Sequence, residues 1–248
     1  MMNTRHRSGC LVCGRELVYL ESPAPGTCAL CGTVQETDAR CIDGHVVCDR
    51  CHALPAEELI MQFCSHTTGT DPLVMAITLM RNPAIAMHGP EHHFLVPAVL
   101  IAAYYNAREM PELKAGKLRV ASTRAGLVKG GFCGLLGDCG AAVGAGIFIS
   151  IITGATPLSR EEWQLTNLCT AEALREIAIH GGPRCCKRNL FLAVRSAVGF
   201  IRNHMDVTLP IAPEIRCEFF PLNTECRMTD CPFYPENAVG AGYGKERM

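Results

Sequence analysis

The residues with chemistry in them are the cysteines, sixteen among 248 positions. Seven fall before residue 52, and with one histidine they form four pairs: Cys10 with Cys13, Cys28 with Cys31, Cys41 with His45, and Cys48 with Cys51. A C-x2-C unit turns tightly enough to aim two thiolates at one ion, and a second pair completes a tetrahedral shell, so eight ligands suggest two zinc ions. Cys13 and Cys31 are each followed by glycine, as in a zinc knuckle, whereas Cys48-Asp-Arg-Cys51 precedes a helical stretch, as in a treble clef. That contrast favours interleaved sets, with Cys28, Cys31, Cys48 and Cys51 on one zinc and Cys10, Cys13, Cys41 and His45 on the other. Sequential pairing, a single zinc with the remaining thiols free, and His52 as an alternative ligand stay open. Four filled positions leave no place for substrate, so these centres read as structural.

A second set has a different setting. Cys133 and Cys139 sit on a glycine-rich bend that enters an apolar segment, and Cys185-Cys186 opens another helical stretch beside Arg184, Lys187 and Arg188. The helix dipole and free amides stabilise a thiolate at a helix start. Cys133, Cys139, Cys185 and Cys186 could therefore hold an iron-sulfur cluster, with glycine turns supplying amides to the sulfides. Alternatively, Cys185-Cys186 is a redox dithiol whose neighbouring cations lower a thiol pKa and bind an anionic substrate. The plain alternative is buried cysteines acting as small apolar residues, the reading that suits Cys64 and Cys169. Cys217, Cys226 and Cys231 lie on a proline-flanked tail, where they could join the same centre or hold a separate metal. His88-Gly89-Pro90-Glu91-His92-His93 offers imidazoles at a helix start, and His88 and His92 are candidates for proton transfer or ligation if they face the cysteine bends. Gly131-x2-Gly134-x2-Gly137 matches neither a dinucleotide fingerprint nor a P-loop.

Four resemblances bear on these residues. The run Cys41-Ile-Asp-Gly-His45-Val-Val-Cys48-Asp-Arg-Cys51 resembles cross-brace fingers of the RING and PHD type. Cys139-Gly140-Ala141-Ala142-Val143-Gly144, within a stretch from His88 to His204, resembles the glycine-rich helix start of a cysteine-rich redox family of anaerobes known by the pattern C-GCAxxG-C-C. Over nearly its full length the chain looks like a family of unknown function from methanogens and other anaerobic prokaryotes. These likenesses imply anaerobic metal or thiol chemistry and no particular substrate. A more local similarity links Cys139-Gly140 and Cys185-Cys186-Lys187-Arg188-Asn189 to iron-sulfur serine dehydratases, whose other motifs are missing here.

The elements that must position these groups read as mainly helical. Residues 1–54 form a zinc-binding, treble-clef or cross-brace-like module, rich in turn formers and unable to bury enough apolar surface without a staple. Residues 55–248 form an all-α domain ending in an irregular, cysteine-containing tail. Asp71-Pro72 is an N-cap and first-turn pair for a helix through Met80, and a second helix spans His92 to Arg108. Ser159 with Glu162 reads as a capping box for a helix to about His180. The next starts near Cys185, with Leu190, Phe191, Val194, Ala197, Val198 and Ile201 at helical spacing, and Pro210 and Pro213 end the pattern. The uncharged run Cys139 to Ala155 is glycine-rich and short for a membrane span, so it reads as a buried core helix.

Bulk composition narrows the function classes. Apolar residues at 48% and charged residues at 19% place the chain among folded proteins, and a net charge of -1 gives no general attraction to nucleic acid or anionic membranes. Arg5, His6 and Arg7 precede no apolar stretch, so no secretory signal is expected and the protein is expected in the cytoplasm, where metal or thiol chemistry accounts for cysteine better than disulfides do. The functional expectation is an iron-sulfur or redox-thiol enzyme of anaerobic metabolism, performing redox, sulfur-transfer or lyase chemistry on a small anionic substrate. Its catalytic candidates are Cys139, Cys185, Cys186, His88 and His92. The competing class is a zinc-stapled module that docks a protein or nucleic-acid partner without catalysis.

Overall fold

In the computed structural model, residues 9–237 are described. Arg5, His6 and Arg7, which bear on the expected lack of a secretory signal, lie outside the described residues. The described chain begins with an antiparallel hairpin, β1 (Leu17–Thr27) and β2 (Val34–Cys41), in which Leu17 pairs with Cys41 and Thr27 with Val34. Neither strand was evident in the sequence. Both lack a buried face, β1 contains Pro23 and Pro25, and its register slips between Tyr19 and Ala24, so no alternation of apolar and polar residues marks them.

Nine α-helices follow among the described residues. They are α1 (Asp49–His52), α2 (Ala56–His66), α3 (Pro72–Arg81), α4 (Glu91–Ala107), α5 (Lys114–Ala125), α6 (Phe132–Leu135), α7 (Gly140–Thr153), α8 (Glu161–Ile179) and α9 (Cys186–Met205). The expected Asp71 cap is formed: its carboxylate accepts from the N–H groups of Leu73 at 2.8 Å and Val74 at 3.1 Å. The expected capping box is not. Helix α8 starts at Glu161 without a side-chain cap, because the Ser159 hydroxyl turns back to accept from the Thr156 N–H at 3.1 Å.

Helix α4 is the axis of the bundle. From Phe94 to Tyr105 every residue is buried, and α2, α3, α5, α7 and α9 all pack on it. An apolar surface on all sides is what a central helix requires. Helix α7 lies against α4 at close range. A β-carbon at Gly144 would stand 2.9 Å from Pro97 Cδ and 3.0 Å from both the His93 carbonyl and Val96 Cβ, so only glycine admits this approach. Gly140 makes room for the His93 ring in the same way. Helix α7 is thus a buried core helix, and none of the helices among the described residues is long and apolar enough to cross a membrane.

After α9 the chain turns through Asp206 in a left-handed conformation and runs as a tail of single helical turns. Leu209, Ile215, Phe219 and Phe233 anchor it in the core, and Phe233 meets Phe191 of α9 edge to face at 5.2 Å. Arg81, on α3, joins three regions: it donates to the Val12 carbonyl and pairs with Glu218 of the tail at 2.7 Å.

Candidate metal and thiol centres

The hairpin explains how the four amino-terminal pairs meet. Its pairing returns Cys41 to the level of Leu17, beside the turn that carries Cys10 and Cys13, while Cys28 and Cys31 occupy the connection between the strands. A single bridge between Cys28 and Val46 then lays Cys48 and Cys51 against that connection. Two sets result, Cys10, Cys13, Cys41 and His45 in one and Cys28, Cys31, Cys48 and Cys51 in the other, each with its ligand atoms within 4.8 Å of one another. Both can hold a metal ion. The pairs interleave, first with third and second with fourth; His52 lies outside both sets.

Inside the first set Cys13 Sγ lies 3.8 Å from Cys41 Sγ, which is 3.3 Å from His45 Nδ1. Inside the second, Cys31 and Cys48 stand 3.8 Å apart. Backbone amides point at the sulfurs: Val12 at Cys10 and His45 at Cys41, both at 3.3 Å, and Cys48 at Cys28 at 3.4 Å. Burial opposes ionisation, yet the hydroxyl and N–H of Thr33 and nearby thiols bring Cys31 down to about 6. Burial likewise opposes at Cys41, where the His45 and Asp43 amides and the His45 ring bring the thiol down to about 7. Crowding acts the other way on Cys13 and Cys51: burial and then neighbouring thiols raise both, Cys13 to about 11.

The later cysteines gather at one end of the helical bundle. Cys139 is the N-cap residue of α7 and Cys185 that of α9, with Cys186 opening α9. The two thiols of the vicinal pair act on each other, since burial first and then Cys185 raise Cys186, but their further neighbours differ. Cys186 lies near Cys139 and the Gly89 amide. Cys139 accepts from Asn189 Nδ2 at 3.4 Å, one turn into α9. Cys185 instead lines a small chamber with Cys217, Cys226 and Cys231 of the tail. Cys133, half-buried on the short α6, has no hydrogen-bonded partner among the described residues. Cys64 and Cys169 are fully buried in the bundle, where burial pushes Cys169 up to about 12 and Cys64 higher still.

The histidine segment does face these bends. His93 packs its ring on Gly140, next to Cys139, and its Nδ1 lies 2.9 Å from the Val128 carbonyl. His88 Nε2 lies 3.2 Å from Asn223 Oδ1, and Asn223 lines the four-cysteine chamber. His92 is buried with Nδ1 3.1 Å from the Gly89 carbonyl, while its Nε2 has no partner among the described residues. Burial first, then the Lys187 charge, holds its pKa well below the ordinary value, so this imidazole is neutral. Asn189 and Asn223 escaped the sequence reading as site residues; the run Cys185-Cys186-Lys187-Arg188-Asn189, which carries the dehydratase likeness, is the one signal that marks Asn189, and nothing local marks Asn223.

A cleft of about 1220 Å³ separates the hairpin module from the bundle, with Leu17, Tyr19 and His52 on one wall and Arg81, Ile85 and Lys187 on the other. None of the cysteines lines it.

A family model matches residues 60–234, and its description is a family of unknown function, DUF5714. The chain belongs to that family. The DUF5714 match begins beyond both compact ligand sets and takes in every later cysteine, from Cys64 to Cys231. No curated protein and no solved structure matches the chain.

Proposed function

We propose that this protein is a cysteine-based redox protein whose amino-terminal module is stapled by two zinc ions. Zinc bound to thiolate at about 2.3 Å places neighbouring sulfurs about 3.8 Å apart at a tetrahedral angle. That is the separation of Cys13 from Cys41 and of Cys31 from Cys48. The donor sets, three cysteines with histidine and four cysteines, are those of closed structural zinc sites.

The redox half of the reading is carried by one observation: six thiols, of Cys139, Cys185, Cys186, Cys217, Cys226 and Cys231, converge with His88, His92 and His93 at one end of the bundle. The resemblance to the C-GCAxxG-C-C family supports anaerobic metabolism as its setting. The proposal extends to a small anionic substrate, on the cations Arg184, Lys187 and Arg188 that flank the vicinal cysteines. The test is zinc, iron and acid-labile sulfide analysis on protein purified without oxygen, followed by reductive and oxidative titration. About two zincs with either a broad band near about 400 nm or a dithiol that cycles reversibly is the expected result. Zinc with no centre that cycles overturns the redox reading.

One feature favours a second reading for the module alone. Tyr19, Val34 and Ile42 are 76%, 65% and 54% exposed on and beside the hairpin, a set of large apolar side chains suited to docking a protein partner.

A further inference from the structure

We propose that Cys185, Cys217, Cys226 and Cys231 are the four ligands of a single iron-sulfur cluster of the four-iron type, a centre distinct from Cys139 and Cys186. The proposal rests on the redox reading above and specifies its site. Residue 185 is separated by more than thirty positions from the nearest of the other three, and only the return of the tail across α9 unites them.

Three properties of the chamber support this ligand. First, every one of the four sulfurs faces a backbone N–H two or three residues further on. Arg188 donates to Cys185 at 3.5 Å and Met228 to Cys226 at 3.4 Å, and the amides of Phe219 and Phe233 serve Cys217 and Cys231. The same relation holds at Cys10 with Val12 in the compact set. Amides aimed at sulfur stabilise thiolate ligands and tune clusters.

Second, the spacing is wrong for one ion. No three of these thiols lie within 4.8 Å of one another, whereas both amino-terminal sets do. A polynuclear inorganic core meets that condition, because its irons bond to the sulfurs and span the distance between them.

Third, the charge is complementary. Arg188 is 3% exposed and lines the chamber, and its guanidinium donates to the carbonyls of Gly181 at 2.7 Å and Pro183 at 3.0 Å. Among the described residues no carboxylate pairs with it. A buried cation needs an anion nearby, and a thiolate-ligated cluster supplies it. Four cysteines fill the terminal position on every iron. The centre is therefore closed to substrate, which assigns it to electron carriage and separates it from dehydratase chemistry that needs an open iron.

The experiment is iron, sulfide and zinc analysis with electron paramagnetic resonance of the dithionite-reduced full chain, purified without oxygen. It compares wild type with Cys217→Ser, Cys226→Ser and Cys231→Ser, and with Cys133→Ser, Cys139→Ser and Cys186→Ser. Cys226 is the least buried of the tail thiols, and amide exchange of α4 certifies that each variant is folded. About four irons and four sulfides per chain in the wild type, reduced several-fold in the tail variants and unchanged in the other three, is the expected result. Iron retained in the tail variants and lost with Cys139→Ser or Cys186→Ser overturns the ligand assignment and leaves the redox reading standing. A chamber that loses zinc instead of iron, or a folded wild type without iron, overturns the proposal and confines redox chemistry to Cys139 and Cys186.

Discussion

Two regions of this molecule concentrate thiols by opposite means. In the amino-terminal module the ligands come in pairs three or four residues apart, so half of each site is made by a local turn and the hairpin has only to bring two halves together. In the carboxy-terminal chamber the four cysteines come singly, one from the start of α9 and three from separate turns of the tail, and tertiary packing makes the whole site. Local pairing holds sulfurs at the separation one ion demands. Assembly from distant points leaves them wider, at a spacing one small ion does not span. In the proposed assignment the same residue, backed by the same kind of backbone amide, serves different metal chemistry according to how far along the chain its partners lie.

The comparison predicts separate dependence on metal. Cys51→Ser removes a fully buried member of the compact set made of four cysteines. Structural zinc contributes about 10–16 kcal/mol of apparent binding energy in small modules, so this substitution is expected to abolish amide protection across residues 10–51. Protection in α4 and α7 should persist, and hydrogen exchange resolved by segment checks it. Loss in α4 as well would merge the two regions into one cooperative unit and break the comparison.

The chamber should depend on packing as the module depends on metal. Phe233→Ala removes the ring that holds the tail on Phe191, at an expected cost of about 3–5 kcal/mol in urea unfolding. It should also release Cys217 and Cys231 to thiol-reactive probes while zinc content is unchanged. Gly144→Ala tests the helical frame that presents Cys139: crowding against Pro97 should cost about 1–3 kcal/mol in the same assay. A neutral result would mean that α4 and α7 part easily and that close approach is not what positions the bend. The smallest effect is expected of Asp71→Ala, which removes two cap hydrogen bonds distant from either centre and should lower stability by about 1 kcal/mol with metal content unaltered.

Legibility in the sequence followed the range of the interactions. Asp71 with Pro72, the apolar spacing of α9 and the glycine-rich entry to α7 are local features, and each marks an element that the fold contains. The capping box failed because Ser159 has a nearer acceptor role in the turn at Thr156, a competition that spacing does not disclose. The hairpin was hidden because the half-buried face of β2 carries Gln35, Thr37 and Ala39, so burial alternates there without an apolar alternation in the sequence. At the sites, eight amino-terminal ligands were readable as pairs, whereas grouping Cys133, Cys139, Cys185 and Cys186 followed shared helix-start context and not proximity. The fold adds tail cysteines beside Cys185 and keeps Cys186 near both Cys185 and Cys139.

The sequence by itself determined a mainly helical chain with a turn-rich, cysteine-paired head, because helix periodicity, capping and C-x2-C turns act within a few residues of backbone. Tertiary structure alone decided that His88 meets Asn223, that His93 meets Gly140, and that Cys185 shares a chamber with Cys217, Cys226 and Cys231. Those meetings depend on burying Phe219 and Phe233 against α9 and on closing long loops, and neither is encoded in the spacing of the residues that benefit.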